Sequence, residues 1–255
     1  MAMLRFAEEI VLLLLDEERG AIASAFPSRS LNIVLAGAVL MDLALEDRID
    51  TDLTQLTVVS AAPLNDELLD PTLAALAQAA EPRAVSLWLA DIAERGDAIR
   101  DTVLARLVSR GILEAEGEGL VFLSRAVSRA RRYPSIDGKA TEEVKLRLMR
   151  VLFSDEIPDP RDIVLICLAD ACGIFETILS KAERTEAQER LDVVRRLDLI
   201  GQAVTQAIRE LEVSSAPAPR SNAGRFPRPQ GSPLSAMPWT WSAVSTPSSY
   251  NNIAH

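Results

Sequence analysis

Apolar residues in this chain recur at helical spacing. Ile99, Val103, Leu104, Leu107 and Val108 form one stripe when wound at about 3.6 residues per turn, and polar residues fill the opposite face. In a strand the same residues would scatter to both faces, so a chain with this period cannot be built mainly from sheet. The expected fold class is mainly α: a single globular helical domain with one or two small β-hairpins. The spacing predicts helices near 3–16, 30–46, 64–79, 84–94, 98–110, 140–153, 160–171, 174–181 and 184–212. Boundary residues agree with it. Asp70-Pro71 and Asp159-Pro160 each place a capping carboxylate before a first-turn proline, and Gly111 follows Arg110 where a C-terminal glycine belongs.

The clearest strand signal runs from Ile112 to Leu123, where two short apolar segments flank Gly117-Glu118-Gly119 and predict a hairpin. A weaker pair runs through Arg48–Asp50 and Leu56–Ser60. Gly117 and Gly119 are not a phosphate-binding fingerprint, because position 122 is Phe and no helix opens there. No internal repeat stands out. The longest mostly apolar segment, Leu31–Leu45, has 15 residues interrupted by Asn32 and Asp42, short of the roughly 20 a membrane span needs. The start, with one basic residue (Arg5) and then Glu8-Glu9, does not read as an export signal.

Composition changes at Ser214. From there to His255, 42 residues hold 7 of the 14 prolines, nine serines, three arginines and no acid, the composition of a disordered tail. The expected organisation is a helical body over 1–213 and a Pro/Ser-rich tail over 214–255. The body carries 24 basic and 37 acidic side chains, a net charge of −13, which opposes general attraction to nucleic acid. The sole histidine, His255, ends the chain, so triads and histidine metal sites have no natural member. The two cysteines, Cys167 and Cys172, are five apart on one predicted helix and point about 140° apart, which suits a reducing compartment better than a disulfide between them. No P-loop, nucleophile elbow or zinc signature occurs, and no cofactor is expected.

Three stretches in order resemble the Golgi phosphoprotein 3 family. They are Leu4–Leu15 with the turn Asp16–Gly20; Leu35–Leu45 before Arg48-Ile49; and Leu104–Leu113 leading into the hairpin, with Leu165–Cys172 as a looser echo. The resemblance covers about residues 3–212. It implies a non-catalytic peripheral membrane or adaptor protein that binds phosphatidylinositol 4-phosphate, with an anionic lipid headgroup, and also protein, as partners. In the eukaryotic branch the headgroup pocket joins a tryptophan to three arginines, a combination in which guanidinium forks hold phosphate oxygens and an aromatic edge enters the interface.

Aligned on these stretches, the family tryptophan falls at Phe26 or Pro27, in a loop that also carries Arg29. One family arginine falls on Ala36 before Gly37, another on Asp97, and the third on Arg100. The lipid-binding candidates are therefore Phe26, Arg29 and Arg100. Each basic residue near a charged bilayer contributes roughly 1 kcal/mol, so two missing arginines weaken binding by about 2 kcal/mol, on the order of thirty-fold. The expected headgroup site is weakened or altered. Asp97 is expected to cap a helix starting at Ala98 and so to compete with an anion there.

Arg125, Arg129, Arg131 and Arg132 form the densest basic patch and are candidates for a secondary anionic contact. Helix Leu104–Leu113, the hairpin and these arginines also resemble a winged helix, so a DNA-binding regulator is the alternative, with the acidic body against it. The acidic pairs Glu8-Glu9, Glu17-Glu18 and Asp155-Glu156 read as capping or solubility features, and Trp88 as a core anchor. The Ala-, Leu- and Arg-rich composition suggests a bacterial cytoplasmic protein, reversibly at the inner membrane face; a eukaryotic relative implies the Golgi.

Overall fold

The computed structural model describes residues 3–16, 20–22, 26–51, 55–79, 81–115, 133–136, 138–197 and 199–215. It is mainly α. The first half holds α1 (Phe6–Leu14), α2 (Ser28–Leu45), α3 (Asp70–Ala77), α4 (Val85–Ala93) and α5 (Gly96–Ser109). The second holds α6 (Lys139–Leu152), α7 (Pro160–Ala171), α8 (Ile174–Ile178), α9 (Lys181–Val194) and α10 (Leu199–Ser215). The chain separates into two units, Met1–Ala216 and Pro217–His255.

The axis of the fold is α2. It is apolar on nearly every face, and α1, α4, α5, α7 and α10 all pack against it. By length and composition it would cross a membrane, but 72% of it is buried inside the protein. Its close packing depends on Gly37, where an added Cβ would lie 2.9 Å from Ile208 Cδ1 and 3.1 Å from Leu168 Cδ2. Trp88 on α4 is buried, with the Arg83 guanidinium 4.5 Å from its ring centre.

Two small antiparallel sheets decorate the helices. β1 (Leu15–Asp16) pairs with β2 (Ala21–Ile22), so α1 stops at Leu14, short of the expected residue 16. β3 (Ile49–Thr51) pairs with β4 (Gln55–Val58), close to the pair expected at 48–50 and 56–60, in the register Ile49 opposite Val58, and β5 (Arg83–Ala84) adds a third strand. Of the Ile112–Leu123 hairpin, residues 116–123 lie outside the described residues, as does the patch Arg125, Arg129, Arg131 and Arg132. On the described flanks, Leu113 bridges to Ser135.

Three further boundaries differ from expectation. The helix expected over 64–79 is only α3, because Asp70 turns its carboxylate backward to accept the N–H groups of Leu64 (2.8 Å) and Asp66 (3.1 Å). Asp70 thus organises the incoming loop and is not a cap. The single helix expected over 184–212 is α9 and α10. Here the N–H groups of Arg196 and Leu197 bond carbonyls three residues back, while the Arg195 guanidinium leaves for Asp170 on α7 (2.9 and 2.7 Å). At α5 the helix begins at Gly96, so Asp97 lies inside the first turn and makes no capping bond. Asp159 caps α7 through Arg161 N–H, as expected. Gly111, at φ +67°, closes α5: its N–H meets the Val108 carbonyl and that of Ile112 meets Leu107, a Schellman pair.

Candidate functional site

The start of α2 meets the start of α5. Asn32 on α2 lies so close to Gly96 that a Cβ there would fall 2.6 Å from Asn32 Oδ1, and nearer still to its Cβ and Cγ. Arg29 sits three residues before Asn32, on the same helical face, and is exposed. Arg100 sits one turn beyond Gly96.

The other positions behave differently. Phe26 is 8% exposed and packs in the hydrophobic core, so its ring is not offered to an interface; its neighbour Pro27 is exposed. Ala36 is fully buried. Arg100 is held by its own helix: Nη1 bonds Asp97 Oδ1 (3.0 Å), and Nε and Nη2 bond Asp101 Oδ1 (3.3 and 3.2 Å). A phosphate reaching Arg100 would lie beside both carboxylates. Next to Arg100 and Asp101 runs a groove of about 720 Å³ whose walls include Leu104, Val108, Ile22 and Tyr133.

Sequence reasoning missed a second, larger electrostatic feature. Glu8 and Glu9, taken for capping or solubility residues, are 0% and 1% exposed. Glu8 does bond the Arg5 N–H at the start of α1 (2.6 Å), yet it also accepts from Arg106 (3.2 Å) and Arg110 (3.0 Å) of α5. Glu9 accepts from Arg147 of α6 (2.7 Å) and Arg161 of α7 (3.3 Å), and Arg147 also bonds Asp162. Arg5 reaches Glu46 (2.5 Å) and Asp66 (3.0 Å), and Asp66 accepts from Arg106 (2.6 Å). Arg161 lies over the Phe6 ring, 4.2 Å from its centre, and bonds the Leu4 carbonyl. One network of five arginines therefore ties α1 to α5, α6, α7 and the loop before α3.

At its centre is Asp42 of α2. Its Oδ2 accepts the Phe6 N–H (2.9 Å), while Oδ1, fully enclosed, has no hydrogen-bond partner. Arg161 and Arg5 stand 3.8 and 3.9 Å from Oδ1, each committed to other acceptors. Burial pushes the Asp42 carboxyl up to about 7, against the pull of Arg161, the Phe6 N–H and Arg5. Burial likewise raises Glu9, opposed by Arg161 and Arg147. The signal that could have revealed this network was the wide spacing of arginines along three amphipathic helices, but only the fold pairs them with α1.

Among the described residues no group of His, Cys, Asp and Glu is arranged to hold a metal ion. Nor is α5 presented as a recognition helix on its inner side: Val103, Leu104 and Leu107 are buried, and the helix packs against α1 and α2. A search among curated proteins finds no match to the chain. The family description Golgi phosphoprotein 3 (GPP34) matches residues 6–211, from the first residue of α1 into α10, and so takes in the α2–α5 contact and all of the buried arginine network except Arg5. The chain belongs to the Golgi phosphoprotein 3 family.

Proposed function

We propose that this protein is a non-catalytic peripheral membrane protein or adaptor that meets phosphatidylinositol 4-phosphate at a bilayer surface through an altered, weakened headgroup site. Family membership over 6–211 supports the class, since the family is one of lipid-binding adaptors without enzymatic activity. One observation carries the alteration: Arg100, the retained arginine of the pocket, is bonded to both Asp97 and Asp101. With Asp97 where the family has an arginine, the first turn of α5 carries two carboxylates and one guanidinium, which offsets the attraction of a helix N-terminus for phosphate. Arg29, exposed one turn before Asn32, is the second candidate cation. Phe26 serves the site by fixing the loop from the core side.

Flotation of the full chain tests the reading. Vesicles would contain phosphatidylinositol 4-phosphate, phosphatidylserine at matched charge, or neutral lipid alone, each at low and physiological salt. The expected result is preferential but weak flotation with the phosphoinositide, reduced by Arg100→Ala and Arg29→Ala. Tight headgroup-selective flotation indifferent to both substitutions would overturn the proposed site. No flotation on any membrane would overturn the lipid reading and leave protein partners as the adaptor's targets.

A further inference from the structure

Asp42 and Arg161 hold two unsatisfied atoms of one enclosed cluster. Asp42 Oδ1 is an acceptor without a donor, and Arg161 Nε is a donor without an acceptor. Both are sealed from solvent, so any adjustment between these side chains is internal to the protein. Arg161 Nη1 stands 3.8 Å from Asp42 Oδ1, beyond hydrogen-bond reach, while Nη2 donates to the Leu4 carbonyl and to Glu9 Oε2 (3.3 Å). Arg5 is held more firmly elsewhere: its Nη1, 3.9 Å from Oδ1, bonds Glu46 at 2.5 Å, and its Nε bonds Asp66 at 3.0 Å. This arrangement suits a neutral Asp42. An uncharged hydroxyl without a partner costs far less than a carboxylate oxygen in the same position. Burial agrees, raising the carboxyl to about 7 against the pull of Arg161, the Phe6 N–H and Arg5.

Ionisation changes what the cluster needs. The Phe6 N–H bond to Oδ2 serves either form, but a charged Oδ1 calls for a donor, and Arg161 Nη1 is the nearer of the two guanidinium nitrogens beside it. A guanidinium is a rigid planar fork, so drawing Nη1 about 1 Å inward also moves Nη2, the nitrogen on the Leu4 carbonyl. We propose that Asp42, Arg161 and the Leu4 carbonyl form a proton-operated latch on the segment before α1, seated while Asp42 is neutral and released when Asp42 ionises and takes Arg161 for itself. The released part is Met3–Leu4. Arg110 reaches the Met3 carbonyl only at 3.4 Å, a weak second tie, whereas Phe6 stays bonded to Asp42 and keeps α1 in place. Met3, 74% exposed, and Leu4 both line a cleft of about 700 Å³, so the proton on a sealed carboxyl is read out at the surface. The proposal is independent of the phosphoinositide reading.

The charged groups around Asp42 are Arg5 before α1, Glu8 and Glu9 on α1, Glu46 on α2, Asp66 before α3, Arg106 and Arg110 on α5, Arg147 on α6, and Arg161 and Asp162 on α7. On α4, α10 and β3, which also pack on α2, Asp91, Arg209 and Asp50 are turned to Arg83, Asp170 and the Thr51 N–H. NMR on the full chain tests the latch by following the Leu4 carbonyl carbon, the Met3 methyl and the Phe6 amide proton between about pH 5.5 and pH 8.5. With the carboxyl at about 7, all three are expected to move with one midpoint, the Met3 line narrowing as pH rises. The ratio of seated to released chain is expected to fall about 100-fold from pH 6 to pH 8. Asp42→Asn, neutral at every pH, is expected to hold Leu4 and Met3 at their low-pH positions throughout. If that variant does not fold, the native chain still decides, because Phe6 reports the ionisation of Asp42 and Leu4 reports the latch. A Phe6 amide that titrates while Leu4 and Met3 stay fixed, Leu4 movement that persists in Asp42→Asn, or no titration of Phe6 in this range would each overturn the proposal.

Discussion

Removing the charge of Asp42 should flatten the dependence of stability on pH between about pH 5 and pH 8. The carboxyl sits at about 7 in the folded protein against 3.8 for the free side chain. A folded-state value raised above the unfolded one means that the native state holds the proton more tightly. The resulting stabilisation is complete below the unfolded value and is lost as pH rises through the folded one. At about 1.4 kcal/mol per unit the full span is about 4 kcal/mol, of which about 2.5 kcal/mol falls between pH 5 and pH 8. Glu9, also raised by burial, acts in the same direction. Asp66 acts oppositely: burial raises it, but the Leu68 N–H, Arg106 and Arg5 outweigh burial and hold it low, so it is ionised in both states across this window. Urea denaturation followed by circular dichroism at the two pH values would give the difference for the native chain and for Asp42→Asn. The amide oxygen can still accept the Phe6 N–H, so the comparison is between slopes, whatever constant cost the amide adds. A native chain equally stable at both pH values, or an Asn variant with an undiminished slope, would refute the reasoning.

Other substitutions probe the remaining contacts. Gly96→Ala should destabilise by about 1–3 kcal/mol, since its Cβ would lie 2.4 Å from Asn32 Cβ; Asn32→Ala in the same chain keeps that Cβ and should recover little in thermal melts, whereas Asn32→Gly removes the clash and should recover more. Arg147→Ala strips a hydrogen-bond partner from Glu9, which is 1% exposed, and should cost about 3–5 kcal/mol, with Arg147→Lys intermediate in urea titrations. Asp97→Asn releases Arg100 from one ion pair and removes a like charge from the phosphate's approach; flotation on phosphoinositide vesicles should strengthen about three- to ten-fold, and unchanged flotation would separate Arg100 from the lipid site.

The sequence announced the helices where their signals were local. Asp159 before Pro160, Gly111 after Arg110, and the apolar stripe of α5 each act within one turn, and each was readable in order along the chain. Boundaries failed where a residue was recruited from outside its own turn. Asp70 was drawn to the N–H groups of Leu64 and Asp66, and Arg195 left the end of α9 for Asp170. The pairing of Leu15 and Asp16 with β2 shortened α1 in the same way. At the site, sequence alignment located Arg100 but not its ties to Asp97 and Asp101, and it named Phe26 without its burial. Glu8 and Glu9 were the largest miss, because an acidic pair on a short helix looks the same whether water or four arginines surround it.

That miss bears on what holds the fold together. The buried network cannot change one member at a time: deleting Arg147 or Arg161 leaves Glu9 short of a partner in an environment that excludes water, and deleting Glu9 leaves guanidiniums in the same position. The α2–α5 end has no such coupling. Its side chains are exposed at Arg29 and intrahelical at Arg100, so a substitution there has little effect on stability. The physical asymmetry places the stability of the fold in the buried charges, so a substitution at an exposed position such as Arg29 leaves the arginine network of α1, α5, α6 and α7 intact.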